Sequence, residues 1–260
     1  MSQTMDQSTL NVLNSFYDYL LKGEVSPVLH GFASQPEINT PLQGSISGRE
    51  DFGRYFQQTS NWLHEHQARI GLLATYQSAD LMVAEFVLYL YLRGEHADLP
   101  VALSADLKSG KMSQLRMYHS NWPLTGTHLQ RALSFTSTPN EVPPAVAAFF
   151  DCLKQGDSTG ASNLFLPEGY LREPSGAKFK HTGNDAVKRY LGAALAQGGV
   201  QTQITRVLQD QSHISVEYVI QSQGGTAIKD QSALAVFELG PNGDAFAAVR
   251  IYDDFSTPAI

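Results

Sequence analysis

Cysteine is nearly missing from this chain: Cys152 is the only one in 260 residues. An intramolecular disulfide is therefore impossible, and a disulfide-stapled secreted scaffold is excluded. Concentrated positive charge is missing too. The chain has 18 Lys and Arg against 25 Asp and Glu, a formal charge of −7, with no basic run. Binding a phosphate backbone needs a dense cationic surface, so no nucleic-acid partner is expected. Long apolar runs are also lacking. The longest, around Leu81–Leu92, contains Glu85 and is too short to span a bilayer. Met1 to Asn11 is polar and acidic, without the basic-then-apolar order of a secretory leader. Together these absences predict a soluble cytoplasmic protein with no membrane partner. There is no Gly-rich phosphate loop, nucleophile elbow or nucleotide fingerprint, and no cofactor is expected. His64-Glu65-His66 is the one segment that invites a metal. Side chains two apart diverge on a helix, and the segment sits at a helix end, so no metal site is assigned.

The most informative feature present is an internal repeat. Phe16-Tyr17-Asp18-Tyr19-Leu20-Leu21-Lys22-Gly23-Glu24 aligns without gaps on Phe149-Phe150-Asp151-Cys152-Leu153-Lys154-Gln155-Gly156-Asp157. Gly48 and Tyr55 match Gly183 and Tyr190, Glu85-Phe86-Val87-Leu88 matches Glu217-Tyr218-Val219-Ile220, and Arg116-Met117-Tyr118 matches Arg250-Ile251-Tyr252. The offset stays between 132 and 135 through all four blocks. Four motifs in one order and one register mark a duplicated domain; solenoid units are several times shorter. Copy one is placed at residues 1–124 and copy two at 142–260. Between them, 125–141 is rich in Thr, Ser and Pro and reads as a linker.

Each copy repeats the same predicted elements. Leu13, Phe16, Tyr17 and Leu20, then Val146, Phe149, Phe150 and Leu153, form stripes that bury one helix face. Gly23 and Gly156 stand where a left-handed C-cap stops that helix. Ser47-Gly48-Arg49-Glu50 reads as a capping box opening a second helix, with Thr182-Gly183-Asn184-Asp185 as its counterpart. Strand-like runs follow, in copy two about Gln203–Leu208, His213–Gln221, Ser232–Leu239 and Ala245–Asp253, with Lys108-Ser109-Gly110-Lys111 and Pro241-Asn242-Gly243-Asp244 as turns. Helices first and antiparallel strands after give an α+β domain, a curved sheet covered by helices, whose open end is a natural small-molecule pocket.

This order resembles the nuclear transport factor 2-like superfamily, with tandem SnoaL-like domains of cystatin-like α+β cone shape. In copy two the likeness rests on Phe149–Asp157, on Tyr170-Leu171-Arg172-Glu173-Pro174 followed by Gly183 and Tyr190, and on the closing Arg250-Ile251-Tyr252-Asp253. The superfamily includes ketosteroid isomerase, polyketide cyclases, scytalone dehydratase, epoxide hydrolases and many non-catalytic binding domains. The resemblance implies a pocket for an apolar small molecule and no single chemistry. It also implies pseudo-dimeric pairing of the two copies within one chain, and is compatible with a homodimer.

Glu173 leads the catalytic candidates. In ketosteroid isomerase the general base precedes a proline in this strand, as Glu173 precedes Pro174, and a carboxylate in an apolar pocket becomes a usable proton shuttle. The plain alternative is a strand-end carboxylate beside Arg172. Copy one has Thr40-Pro41 there and reads as degenerate. The isomerase's tyrosine donor would fall at Phe149, or Phe16 in copy one, and its neutral acid near Ala235, so neither helper is present. Tyr170 and Tyr190 are the replacement donors. Asp253 resembles the acidic group of SnoaL-like cyclases, with His119 at its place in copy one; the alternative is a polar strand end followed by Asp254. Phe149 and Tyr190, with Phe16, Tyr55 and His119, are the ligand-binding candidates. Glu85 with Arg116 and Glu217 with Arg250 recur in both copies and read as structural ion pairs. Cys152 reads as packing. The enzyme expected is a cofactor-independent proton-transfer catalyst, an isomerase, cyclase, dehydratase or epoxide hydrolase; for the last, Asp185 is the only nearby second carboxylate. The alternative is a non-catalytic module that binds a small ligand or a protein.

Overall fold

The structure, a computed structural model, describes residues 7–129 and 141–254. Most of the expected linker lies outside the described residues. The chain forms two compact units, divided between His119 and Ser120. In the first, α1 (Gln7–Asn14), α2 (Phe16–Lys22) and α3 (Val25–His30) lead to a hairpin of β1 (Glu37–Thr40) and β2 (Gly44–Ser47). Helix α4 (Arg49–Glu65) follows, then β3 (Arg69–Gln77), β4 (Leu81–Leu92), β5 (Glu95–Lys108) and β6 (Lys111–Tyr118). The second unit opens on the short α5 (Trp122–Thr125) and repeats the plan: α6 (Pro144–Gln155), α7 (Ser158–Asn163), β7 (Phe165–Arg172), β8 (Lys180–Thr182), α8 (Asn184–Ala194), β9 (Val200–Gln209), β10 (His213–Gln223), β11 (Thr226–Leu239) and β12 (Phe246–Tyr252).

Each unit holds one six-stranded sheet with the same connectivity, β2-β1-β6-β5-β4-β3 and β8-β7-β12-β11-β10-β9. The long strands are antiparallel meanders; the short hairpin joins the last strand in parallel, through Ile38 against Leu115 and Leu171 against Val249. The chain is thus two tandem α+β domains of one design. Among the described residues, no helix is long and apolar enough to cross a membrane.

The helix stripes pack as their spacing predicts. Val146, Phe149 and Phe150 of α6 are buried, and Phe149 meets Phe165, Phe237 and Phe246 edge-on within 6.3 Å. Burying such side chains contributes about 1.5–3 kcal/mol each. Gly23 and Gly156 end α2 and α6 at φ 67° and 72°, as the sequence indicates. The second helices begin differently from expectation. Their N-caps are Gly48 and Gly183, at φ 90° and 84°, and neither helix has a side-chain cap bond. In each copy the chain turns from a strand directly into the helix, a corner that needs positive φ and displaces the capping box. The turn joining β5 to β6 has positive φ at both Ser109 and Gly110, as a two-residue hairpin with matching twist requires.

Candidate functional site

Strand parity decides which side chains of the second unit reach its interior. Leu171 belongs to the apolar core and is paired across the hairpin with His181, so both point inward. Glu173, two residues on from Leu171, returns to the same side and is fully buried. His181 Nε2 lies 2.5 Å from Glu173 Oε1, and the main-chain N–H of Glu173 donates to Phe179 O at 3.0 Å. The imidazole stacks on Tyr190 of α8, ring centres 4.5 Å apart and planes 14° apart. Carboxylate, imidazole and phenol are thus neighbours in that order.

From the other side, β12 carries Val249 and Ile251 inward, and Asp253 follows them at the strand's end, buried. Strand β10 contributes Tyr218, its ring held edge-on by Phe150 at 5.1 Å. A cavity of about 70 Å³ opens between them, lined by Phe149, Tyr190, Tyr218 and Asp253 together with aliphatic side chains such as Leu195 and Ile220. Burial pushes the Tyr218 phenol well above its ordinary value, and the charge of Asp253 and then Tyr190 add to the effect. Tyr218 therefore stays protonated, and it shares the cavity lining with the Asp253 carboxylate.

The expected residues divide accordingly. Phe149, Tyr190 and Asp253 meet at the cavity. Glu173 is buried behind it, facing His181, and is not in the lining. Tyr170 is not brought there at all. It lies three residues before Glu173, on the opposite face of β7, where Arg250 Nη1 donates to its hydroxyl at 3.2 Å and Lys180 Nζ stands 3.7 Å from its ring centre. That placement withdraws Tyr170 from the site. The sequence reading did not single out His181 or Tyr218 for the site. The repeat contained the signal: the same positions in copy one are Ile46, opposite Ile38, and Phe86.

The first unit keeps the aromatic frame and loses most of the polar set. Phe16 is buried against Tyr17 and Phe56. Tyr55 and Tyr17 point their hydroxyls at Met117 Sδ, at 4.0 and 3.7 Å. Burial pushes the Tyr55 phenol up to about 12, against a smaller lowering by Thr59. Thr40, at the place of Glu173, accepts from the Gln43 N–H within its own turn at 3.0 Å. His119, at the place of Asp253, is buried.

Other candidates have structural surroundings. Arg116 is clasped by Asp106 at 2.7 and 2.9 Å, and Arg250 meets Glu238 at 2.8 Å, both carboxylates lying on the neighbouring strand. Tyr76 donates to Glu85. His64 and His66 each set Nδ1 against a carbonyl one turn back, Ser60 O and Trp62 O. Burial, then Asp157 and Asp151, raise the Cys152 thiol, which favours the less nucleophilic protonated form. Among the described residues, no group of three or more His, Cys, Asp or Glu is arranged to hold a metal.

Residues 146–248 match the family model of the SnoaL-like domain. The second unit carries a SnoaL-like domain. Solved structures similar to the chain include a Catenulispora acidiphila protein of ketosteroid isomerase-like fold in complex with trimethylamine. It is 18% identical over 45% of this chain and 91% of that one, with a TM-score of 0.38. A nuclear transport factor 2-like protein of unknown function from Cytophaga hutchinsonii is 14% identical, covering 44% and 97%, with a TM-score of 0.37. A proposed polyketide cyclase from Sinorhizobium meliloti is 18% identical, covering 42% and 94%, with a TM-score of 0.35. No curated protein matches the sequence. In the SnoaL-like domain the matched segment takes in Glu173, His181, Tyr190 and Tyr218 and stops just short of Asp253.

Proposed function

We propose that copy two, the SnoaL-like domain, is a cofactor-independent proton-transfer catalyst acting on a small, largely apolar carbon acid, and that copy one is its degenerate partner. The observation that supports this reading is the meeting of a buried carboxylate, Asp253, with a protonated phenol, Tyr218, on one mostly apolar cavity. A carboxylate freed from most of its water is a stronger base, and a preorganised O–H donor holds negative charge where it develops.

In the proposed step, Asp253 takes a proton from a carbon next to a carbonyl. The C–H electron pair moves toward the carbonyl, and the enolate oxygen accepts a hydrogen bond from Tyr218 or Tyr190. The carboxylate's negative charge passes to the substrate oxygen, so the cavity's net charge is unchanged through the step. Return of the proton to a different carbon completes an isomerisation, and its return to a leaving oxygen completes a dehydration. Glu173 acts through His181, holding the ring against Tyr190, and is a positioning residue in this scheme.

The test is deuterium incorporation from heavy water into the α-carbons of cyclopentanone, followed by NMR. The intact chain should accelerate exchange, and Asp253→Asn should remove about 10²–10⁴-fold of that rate, the usual size of a positioned general base. Exchange equal in Asp253→Asn and the parent chain rejects Asp253 as the base. No exchange with the parent chain rejects proton transfer and leaves ligand binding as the reading.

A further inference from the structure

The cavity lining is one-sided in charge. Among the described residues that form it, Asp253 is the carboxylate and there is no Lys, Arg or His. Behind Tyr190 stands a second buried acid, Glu173, facing His181. The rest of the lining is aliphatic or aromatic, apart from Thr202 and Gln223. Ring faces carry negative quadrupole density, and three rings, Phe149, Tyr190 and Tyr218, line this small volume. A carboxylate or phosphate ligand would bring like charge against Asp253 and lose its own water, with hydroxyl and amide donors but no cation in the lining to offset that. A cation would gain from both the rings and the acid.

Size narrows the class. One water-sized group needs about 10–15 Å³ of such space, so about 70 Å³ admits roughly five to seven non-hydrogen atoms. Copy one offers an internal contrast. It retains aromatic residues at all three ring positions, Phe16, Tyr55 and Phe86, but has His119 in place of the acid.

We infer that the SnoaL-like domain's cavity takes a small organic cation, an alkylated ammonium group seated against the rings of Phe149, Tyr190 and Tyr218 with Asp253 as its counter-charge. This rests on the reading that the cavity is the functional site and specifies its substrate class. On such a substrate the ammonium sits beside the carbon acid, and its charge offsets the enolate formed when Asp253 takes the proton.

The experiment compares two probes of equal size on the intact chain at constant ionic strength: tetramethylammonium chloride and tert-butanol, which has the same shape without the charge. Tyrosine ring resonances report occupancy. Tetramethylammonium should bind at least about tenfold more tightly, the size of a desolvated cation–π contact supported by a carboxylate. That preference should fall below about threefold in Asp253→Asn. Equal or tighter binding of tert-butanol overturns the proposal, as does a preference that survives Asp253→Asn. The comparison on the parent chain decides by itself if the variant misfolds. Cation preference without ketone exchange leaves this inference standing and removes proton transfer; exchange without cation preference does the reverse.

Discussion

Tyr55, Tyr17 and Tyr218 are tyrosines whose hydroxyls are held away from water, and each has its pKa raised chiefly by burial. The consequence is a stability dependence at high pH, most clearly at Tyr55, where the shift runs from 10.0 to about 12. The phenol is neutral in the folded state and ionises earlier in the unfolded one. Its contribution is therefore complete below about pH 10 and is lost as pH rises toward about 12. The difference is about 3 kcal/mol for a shift of this size. Tyr55→Phe removes the ionisable group while keeping the ring. In urea unfolding, the loss of stability between about pH 9 and pH 12 should be smaller in Tyr55→Phe by about 2 kcal/mol, since the folded phenol is only half ionised at the upper limit. Identical losses in the two proteins show that the unfolded chain, or solvent reaching Tyr55, cancels the shift.

At the scale of elements, the glycines that open the second helices separate backbone need from helix propensity. Gly183 enters α8 at φ 84°, and an added Cβ meets Pro167 O at 3.4 Å, ordinary contact. Strain there comes from the dihedral alone, so Gly183→Ala should cost about 1 kcal/mol or more. Gly53 lies within α4, and an added Cβ meets nothing within 4 Å. Gly53→Ala should stabilise by about 0.5–1 kcal/mol through helix propensity. Thermal melts of the two variants should move in opposite directions; a shared direction refutes the assignment of roles. The same elements mark how far the sequence was readable. Helix stripes, C-cap glycines and the long strands were legible because 3.6- and 2-residue periods persist over many residues. The capping box was misread because Ser47 and Thr182 satisfy its pattern while the glycine after each one sets the real corner. Strand β8 has three residues, too few for a period, so His181 became visible only through its pairing with Leu171. Tyr170 was open to exclusion from sequence, since an odd spacing from Glu173 in a strand places it on the other face.

Across the whole molecule, the two copies are two solutions to one interior, and the comparison isolates a coupled pair. Where copy two has Glu173 and His181, copy one has Thr40 and Ile46 at the same registers. A fully buried carboxylate that loses a partner at 2.5 Å loses part of what offsets its desolvation. Removing one member of such a pair generally costs about 3–5 kcal/mol, whereas replacing both by packing residues is often close to neutral. His181→Ile should therefore destabilise the SnoaL-like domain by about 3 kcal/mol or more. Glu173→Thr made on top of it, which recreates the copy-one pair, should recover most of that loss. Urea unfolding of the parent, the two single variants and the double variant measures the coupling directly. Additive effects across the cycle reject the dyad as a unit. Strong coupling also gives the divergence of the copies a physical route: once one member changed, stability favoured losing the other, and the polar arrangement persisted in the copy that kept both.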